Sequence, residues 1–444
     1  MKEIQVGLIG LGTVGCGLAK VLDDNSEIIK ERLGVPLRLK RVVDIDLESP
    51  RPVALPRKIL STQVEDILED EEIRIVVELI GGMEPAKTFL LEAMKRGKHV
   101  VTANKALLAV HGNELFAAAR EHQVNIAFEG AVGGGIPLIR ALREGLVANR
   151  IGHIYGILNG TANYILTRMA REGTTFAEAL KEAQAQGIAE ADPSLDVEGV
   201  DAAHKIAVLS SLAYCCEIDF DQIHIEGISQ IDPSDIQFAE DFGYQIKLLA
   251  ISRSDGERIE VRVHPTMIPQ EHVLAKVEGA YNAIHISGDA VGDVMLYGLG
   301  AGMMPTGSAV ASDLVDLGRD ILVGNGVRIP PLACERDAVM MRQIKPMDEL
   351  VINYYFRFSA VDQPGVLSKI SGILGNHDIS IASVIQKGRQ VKGSVPVVMM
   401  THEARERDVR LALAEIGDLQ VVTAPTRLIR VENREAVDED YYGA

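Results

Sequence analysis

A glycine-rich turn at the start of the chain constrains the fold more than any other feature. The apolar segment Ile4–Ile9 is predicted to be a strand, and a G-x-G-x-x-G motif at Gly10, Gly12 and Gly15 follows it and opens a helix. The first glycine of such a motif makes the tight turn, the second lets a pyrophosphate approach the backbone, and the third lets helix and strand pack closely. Free N–H groups at the helix start then hold the phosphates. This context predicts dinucleotide binding, with a plain tight turn as the alternative.

Strands and helices alternate over the first 130 residues. We predict strands at residues 37–43, 73–80, 99–102 and 124–128, and helices at residues 14–22, 85–95 and 107–122. This alternation is typical of a doubly wound α/β domain with a parallel sheet. It predicts a Rossmann-type nucleotide-binding domain over residues 1–132, completed by a returning helical segment at residues 304–325.

The rest of the chain changes character several times. Residues 133–303 combine helices with antiparallel strands between 259 and 299, which predicts an α+β domain with a sheet of its own. Residues 326–351 contain prolines and mixed charges, as expected of a linker. Residues 352–428 then follow the order βαββαβ, a ferredoxin-like unit. Residues 429–444 are acidic with few apolar side chains, which predicts a flexible tail.

Composition argues against several classes of function. The 45 basic and 63 acidic residues give a formal net charge of −18, which repels phosphate backbones, so we expect no nucleic-acid partner. The apolar runs are too short for a membrane span, and the first residues carry no apolar leader, so we expect a cytoplasmic protein without a membrane partner. None of the four cysteines lies in a C-x-x-C pair, so neither a disulfide framework nor a zinc site is indicated. Cys215 and Cys216 lie in an apolar helical run and are expected in the core.

Two predicted strand ends bear on the cofactor and the substrate. Asp44 ends the second strand, where a carboxylate accepts hydrogen bonds from a ribose 2′-hydroxyl and favours NAD. Arg41 and Lys40 could instead pair with a 2′-phosphate, so NADP stays open. Lys105 follows the strand at residues 99–102, and open α/β sheets bind ligands at the C-terminal ends of their strands. Lys105 is therefore a candidate contact for substrate or nicotinamide, and a solvated loop lysine is the alternative.

The densest group of charges lies between residues 187 and 205 and comprises Glu190, Asp192, Asp196, Glu198, Asp201 and Lys205. Asp201 and Lys205 are four residues apart and share one face of a helix. An exposed ion pair worth about 0.5 kcal/mol or less is the alternative to a functional role. The apolar residues that follow favour a buried helix with its charges near the start. A buried carboxylate cluster around a lysine suits an amino-acid substrate, because a carboxylate binds the ammonium and a lysine serves the reacting oxygen.

A particular spacing of glycine, acidic and lysine residues runs through segment 183–205, at Gly187, Asp192, Pro193, Asp196, Gly199, Asp201 and Lys205. This spacing resembles the signature of the homoserine dehydrogenase family. The likeness extends to the segments VTANKALLA, FEGAVGGGIP, NGTANYIL, GISQI and GLGAG, and it covers residues 1–325. It implies interconversion of homoserine and aspartate 4-semialdehyde with NAD or NADP, and it makes residues 133–303 the substrate-binding and dimerisation domain. A catalytically silent NAD(P)-binding sensor is the alternative, and the intact set of lysines and carboxylates favours the enzyme.

The resemblance also implies roles for single residues. Lys205 would donate or accept the proton at the substrate oxygen, and Lys105 would polarise that oxygen. Glu190 would hold the substrate ammonium, Asp201 would fix substrate and Lys205, and Asp196 would support them. The candidate cofactor contacts are Gly10, Gly12, Thr13, Val14, Gly15, Arg41, Asp44, Lys105, Gly187 and Gly302.

One departure and one further site follow from the same resemblance. Family members often carry a basic residue just before the aspartate that ends the second strand, and Val43 stands there, which weakens the case for strict NADP use. A monovalent cation site, usually for sodium, is implied at Glu129 and the backbone carbonyls of Val132, Gly134 and Ile136. A glycine-rich turn exposes carbonyl oxygens, which hard cations prefer, and an interdomain hinge is the alternative.

The C-terminal unit carries an Asp-Gln-Pro-Gly-Val-Leu turn between its first strand and helix, at residues 362–367. This unit resembles an ACT domain, a family that binds amino acids between copies of the domain. Threonine is the implied allosteric ligand, with Asp362, Gly365, Asn376 and Ile379 as candidate contacts and a homodimer or homotetramer as the expected assembly. A purely oligomerising domain is the alternative, because a fold alone does not fix a function.

Overall fold

The first third of the chain forms a parallel six-stranded sheet in the computed structural model, which describes residues 3–324, 326–335, 338–386 and 394–433. The strands lie in the order β3-β2-β1-β4-β5-β6, so the sheet grows in both directions from β1. Their bounds are β1 Ile4–Ile9, β2 Leu37–Val43, β3 Leu60–Ser61, β4 Ile73–Glu78, β5 His99–Thr102 and β6 Ile126–Ala127. This order confirms the Rossmann-type prediction, and it places a ligand crevice at the switch point beyond the ends of β1 and β4.

Helices cover both faces of this sheet. Apolar side chains from the strands pack against them in two clusters, one on each side. The helices are α1 Thr13–Asp24, α2 Ser26–Leu33, α3 Glu65–Leu68, α4 Ala86–Lys95 and α5 Lys105–Glu121. Helix α2 and the short α3 add to the helices expected from the sequence, and the predicted helices otherwise lie where the structure has them.

The second domain is built on antiparallel strands, which confirms the α+β prediction for it. Its strands order as β13-β12-β7-β10-β11, and the helix α10 packs against β10 and β11. The elements are α6 Leu138–Arg140, β7 Ile151–Ile157, α7 Gly160–Glu172, α8 Phe176–Ala185, α9 Ser194–Val197, α10 Val200–Tyr214, β8 Cys216–Glu217, β9 His224–Ile225, α11 Pro233–Asp241, β10 Tyr244–Ser254, β11 Ile259–Pro269, β12 Tyr281–Gly288 and β13 Gly292–Leu299. A capping box at Thr175 and Glu178 opens α8, as the sequence predicts.

A returning helix, α12 Met303–Val323, packs on α1 and so joins the nucleotide-binding domain. The two helix backbones touch at Gly17 and Gly307. A Cβ on Gly17 would collide with the Met303 carbonyl, and one on Gly307 would lie 2.5 Å from the Gly17 carbonyl carbon. Glycine is therefore required on both helices at this crossing.

The C-terminal unit has the predicted order βαββαβ. Its elements are β15 Val351–Ala360, α13 Val366–Asn376, β16 Ile381–Ile385, β17 Val395–Thr401, β18 Ala404–Arg405, α14 Glu406–Gly417 and β19 Val422–Val431, preceded by the two-residue strand β14 Met340–Met341. Strands β19, β15, β17 and β16 lie side by side. Strand β19 also pairs with β11 of the second domain, through Thr266 with Arg430 and Met267 with Val431. The C-terminal unit and the second domain therefore share one continuous sheet.

The expectation of an acidic tail from residue 429 is wrong for its first residues. Residues up to Val431 belong to β19, and the buried Glu432 carboxylate accepts hydrogen bonds from Arg262 and Arg253, both at 2.7 Å. The side chain of Asn433 accepts one from Tyr244. Acidic composition predicted a solvated segment, but the buried Arg262 and the partly buried Arg253 neutralise the first of these carboxylates. The rest of the predicted tail, 434–444, lies outside the described residues.

The linker segment is more structured than its composition indicates. Cys334 forms a disulfide with Cys215 at the end of α10, with a Cα–Cα distance of 6.0 Å. The expectations of no disulfide and of a core role for Cys215 are therefore wrong, whereas Cys216 is buried as predicted. The two cysteines are separated by 119 residues in the sequence, so no local motif could predict their pairing. Strand β14 adds a second link to the end of α10, because it pairs with β8.

Among the described residues, no helix has both the length and the apolar character needed to cross a membrane.

The disulfide predicts a thiol count. In the air-oxidised, denatured chain we expect two titratable thiols, Cys16 and Cys216, and four after reduction. Cys334→Ser should expose one additional thiol without reduction, whereas Cys216→Ser should remove one. Titration with a chromogenic disulfide reagent measures this directly, and four thiols in the unreduced wild-type chain would contradict the pairing.

Candidate active site

A buried carboxylate, Asp201, holds two lysines at the start of α10. Its Oδ2 accepts a hydrogen bond from Lys205 Nζ at 2.6 Å, and its Oδ1 lies 3.1 Å from Lys105 Nζ. Asp201 is only 7% exposed. Burial alone would raise its pKa, but the charges of Lys205 and Lys105 lower the pKa of Asp201 well below its usual range. The carboxylate is therefore ionised, and it brings two cationic donors to one place.

Helix geometry positions these three residues. Gly199 precedes α10 with a φ of +84°, a conformation that favours glycine, and Asp201 and Lys205 then lie one turn apart on the helix. Lys105 is the first residue of α5, whose start is capped by Asn104, which accepts the Leu107 amide at 3.1 Å. Two separate helix starts, one from each domain, thus meet at the Asp201 carboxylate.

The end of β7 completes the site with residues whose roles the sequence did not indicate. The Leu158 carbonyl accepts hydrogen bonds from Lys205 Nζ at 2.7 Å and from Asn282 Nδ2 at 2.9 Å. The Asn159 side chain donates to Asp201 Oδ2 and to Asp196 Oδ1, at 2.9 and 2.7 Å. The N-cap position of Asn159 before α7 is the one local signal in the sequence for this residue.

The predicted substrate residues fall into two groups. The structure brings together Lys105, Asp196, Asp201 and Lys205 through the contacts described above. Glu190 lies on an exposed loop after α8, where its backbone carbonyl accepts a hydrogen bond from Gln184. Lys105 is 38% exposed, so the cluster has one solvent-accessible lysine beside a buried one. The role of Glu190 stays a prediction.

The glycine-rich turn has the geometry that a pyrophosphate needs. Gly10 has a φ of +100°, and a Cβ there would lie 2.8 Å from the Leu79 carbonyl oxygen. A Cβ on Gly15 would collide with the Gly10 carbonyl, whereas one on Gly12 would meet no atom within 4 Å. Thr13 and Val14 are the first residues of α1, where amide groups point out of the helix start. Gly12 therefore leaves open space at the helix start, which fits a dinucleotide phosphate.

A cavity of about 640 Å³ lies beside this turn and is lined in part by Gly10, Gly12 and Asp44. Asp44 Oδ2 accepts the Leu11 amide at 2.6 Å, which ties the end of β2 to the glycine-rich turn. The cation beside Asp44 is Arg51, at 3.6 Å, which sequence reasoning missed because it lies in an irregular loop. Arg41 instead donates to the Lys58 carbonyl.

Two more predicted cofactor residues are glycines at turns. Gly187 follows α8 with a φ of +71°, and Gly302 precedes α12 with a φ of +129°. Both conformations favour glycine, so backbone geometry alone accounts for their residue type. Their contact with a cofactor stays a prediction.

The predicted cation residues surround the turn after β6. Glu129 is buried, and its two carboxylate oxygens accept the amides of Ile139 and Arg140, both at 2.9 Å. Burial raises the pKa of Glu129, and it raises the pKa of the neighbouring Asp313 to about 7. Val132 and Ile136 flank the turn, and Gly134 there has a φ of +57°. The two buried acids and the backbone carbonyls of this turn offer oxygen atoms, the ligands that a hard cation prefers.

The four predicted regulatory residues flank helix α13. Asp362 is exposed and Gly365, with a φ of +88°, precedes the helix, whereas Asn376 ends it and the buried Ile379 follows. The two pairs are separated by the helix length of about 16 Å, because a helix rises about 1.5 Å per residue. One copy of the unit therefore does not bring them together, and their joint role stays a prediction.

Fold and site together define an oxidoreductase that uses a nicotinamide dinucleotide and carries an additional C-terminal domain. Three family models match the chain: the homoserine dehydrogenase NAD-binding domain over residues 10–129, homoserine dehydrogenase over residues 137–315, and the ACT domain over residues 354–420.

Relatives match over nearly the whole chain. Homoserine dehydrogenases of Neisseria gonorrhoeae and Pseudomonas aeruginosa are 45% and 46% identical, over 98% and 97% of this chain and 99% of each relative. The crystal structure of a homoserine dehydrogenase from Thiobacillus denitrificans is 46% identical, has a TM-score of 0.91, and is matched over 98% of this chain and 99% of that one. The chain belongs to the homoserine dehydrogenase family.

Arg51 predicts a test of cofactor recognition. We expect Arg51→Ala to raise the KM for NADP about tenfold and the KM for NAD less than about twofold, because only NADP carries a 2′-phosphate on the ribose that Asp44 and Arg51 would face. Arg41→Ala is the matched control, since Arg41 is occupied by the Lys58 carbonyl. Steady-state kinetics with each cofactor measure both values. An equal effect of Arg51→Ala on the two cofactors, or a larger effect of Arg41→Ala, would contradict this assignment.

Proposed function

We propose that the chain interconverts homoserine and aspartate 4-semialdehyde with NAD or NADP, and that Lys205 and Lys105 act on the reacting oxygen. The observation that carries the proposal is the Asp201 bridge, which holds both lysines at one carboxylate. A pair of cationic donors suits an oxygen that changes between carbonyl and hydroxyl, because negative charge develops on it during reduction.

Lys205 is the proton donor in the direction of semialdehyde reduction. Its ammonium has three N–H donors, and Asp201 and the Leu158 carbonyl account for two of them. The third serves the substrate oxygen, to which Lys205 transfers a proton as the hydroxyl forms. In homoserine oxidation Lys205 accepts that proton. When bound, the nicotinamide ring supplies or accepts the hydride.

Lys105 polarises the same oxygen without giving up a proton in this scheme. Its more exposed position at the start of α5 lets substrate enter between the two domains, while Asp201 limits where its ammonium can lie. Asp201 and Asn159 are positioning residues in this scheme, because they act through the lysines. Glu190 and Asp196 supply the negative charge for the substrate ammonium.

A catalytically silent cofactor-binding sensor is the second candidate function. It would need no organised pair of lysines at the ligand crevice. The buried Asp201 with its two lysine partners favours the enzyme. Burying charged groups costs free energy, and a protein that only binds cofactor has no need for this group of charges.

A sodium ion at Glu129 and threonine at the ACT domain complete the proposal. Glu129 with the carbonyls of Val132, Gly134 and Ile136 would hold the cation. Its positive charge would compensate the cost of burying the Glu129 and Asp313 carboxylates. Threonine would bind between ACT domains of two chains in a dimer or tetramer, because the candidate contacts lie at opposite ends of α13.

The decisive assay measures homoserine oxidation and semialdehyde reduction with NAD and NADP in parallel. Each reaction is run with and without threonine to test the ACT domain, and in sodium or choline chloride to test the cation.

Lys205→Ala should lower kcat by about 10²–10⁴-fold because the proton donor is lost, while cofactor binding stays unchanged. Lys181→Ala removes an exposed lysine from α8 and is the matched control. Undiminished turnover of Lys205→Ala, or no turnover of the wild-type enzyme with either cofactor, would contradict the proposal.

A further inference from the structure

Three side chains converge on one face of the mixed sheet, at the end of the second domain away from the C-terminal unit. His153 of β7 and Asp293 of β13 both pair with Ser287 of the central strand β12, and His285 lies two residues before Ser287 on β12. All three therefore share one face of the sheet. One ring nitrogen of each histidine and one carboxylate oxygen lie within 4.8 Å of one another.

The ligand atoms of these three side chains lie closer together than the backbone positions of the outer two residues. Strands β7 and β13 are two strand spacings apart, about 10 Å, so His153 and Asp293 reach toward each other across Ser287. His285 Nε2 already lies 3.6 Å from Asp293 Oδ1. The His153 and His285 rings are nearly parallel, with centroids 5.7 Å apart.

His153 provides an independent observation that points to a ligand. It is only 7% exposed, and its Nε2 finds no hydrogen-bond partner among the described residues. A buried polar atom without a partner is costly, so the Nε2 atom of His153 is a candidate ligand atom for a bound ion. An imidazole nitrogen is the commonest protein ligand of transition metal ions, so an ion of this kind fits the unpartnered Nε2.

The surroundings tolerate a cation. Arg253 of β10 pairs with His153 in the sheet and acts on its pKa, but Arg253 also forms an ion pair with Glu432 at 2.7 Å, which offsets its charge. The Asp293 carboxylate adds a negative charge and is 46% exposed, which leaves a path to solvent. An ion could therefore enter from the edge strand β13 and keep a water molecule as an additional ligand.

We propose that His153, His285 and Asp293 form a binding site for a divalent transition metal ion, with Zn²⁺ as the ion that fits this chemistry. Two imidazoles and one carboxylate are ligands that Zn²⁺ accepts in tetrahedral geometry with one open position. In such a site neighbouring ligand atoms lie about 3.4 Å apart, so no pair of these atoms has to approach by more than about 1.4 Å. The exposed Asp293 side chain can supply much of that movement.

The metal ion would connect three strands. β7 leads from His153 to Leu158, whose carbonyl binds Lys205, and β12 carries Asn282, which binds the same carbonyl. The site is separate from the lysine pair and independent of the proposed reaction. Its role is to stabilise the register of β7, β12 and β13.

The test uses the full-length chain, stripped with EDTA and dialysed. Titration with ZnCl₂ against a chromogenic zinc indicator should give one high-affinity site per chain, and CoCl₂ should give the visible absorption of low-coordinate cobalt. Asp293→Asn should weaken zinc binding at least about tenfold. The exposed Glu271→Gln, close in sequence to β12, is the control for loss of a nearby charge.

His153→Gln should abolish the site and the rise of Tm that zinc produces in the wild-type chain. If His153→Gln fails to fold because His153 is buried, Asp293→Asn still tests the proposal, because the Asp293 side chain is 46% exposed. Zinc affinity equal to the wild type in Asp293→Asn, or no zinc binding by the wild type at micromolar concentration, would overturn the proposal.

Discussion

The arrangement of the site depends on one buried carboxylate. Asp201 is removed from water and keeps its charge because Lys205 and Lys105 lie against it and Asn159 donates a hydrogen bond to it. Removing either lysine would leave a buried charge poorly compensated, and removing the carboxylate would leave two ammonium groups to repel each other. The two domains are thereby held at a fixed spacing, since Lys105 begins a helix of one and Asp201 begins a helix of the other.

The C-terminal unit is joined to the catalytic part through backbone and charge. Strand β19 extends the sheet of the second domain, and Arg430 on it binds Glu406 of α14 at 2.6 Å and Glu226 of the second domain at 2.7 Å. The Glu226 amide in turn donates to Val263 of β11. The Arg430–Glu406 pair is buried and the Glu226 side chain is partly exposed, and ion pairs of this kind contribute little net stability. A ligand that moves the ACT domain would therefore act on a continuous sheet rather than on a loose linker.

Much of the fold could be predicted from local patterns. The glycine-rich turn, the βαββαβ order and the i, i+4 pair of Asp201 and Lys205 are encoded within short segments, and the structure confirms each. Contacts between distant segments could not be predicted in this way. Asn159 reaches Asp201 only because β7 ends beside α10, and Cys334 reaches Cys215 only because the linker folds back to that helix. The end of β19 was missed because charged residues such as Glu432 look solvated until their buried partners are known.

The most direct test of this account is the turnover of Asp201→Asn. The amide keeps the shape of the side chain but cannot hold two ammonium groups by charge. We predict that kcat for semialdehyde reduction falls at least about 100-fold, while the affinity for reduced cofactor, measured by its fluorescence on binding, changes less than about threefold. A kcat within about threefold of the wild type, in a variant with a wild-type circular dichroism spectrum, would contradict the central role of the Asp201 carboxylate.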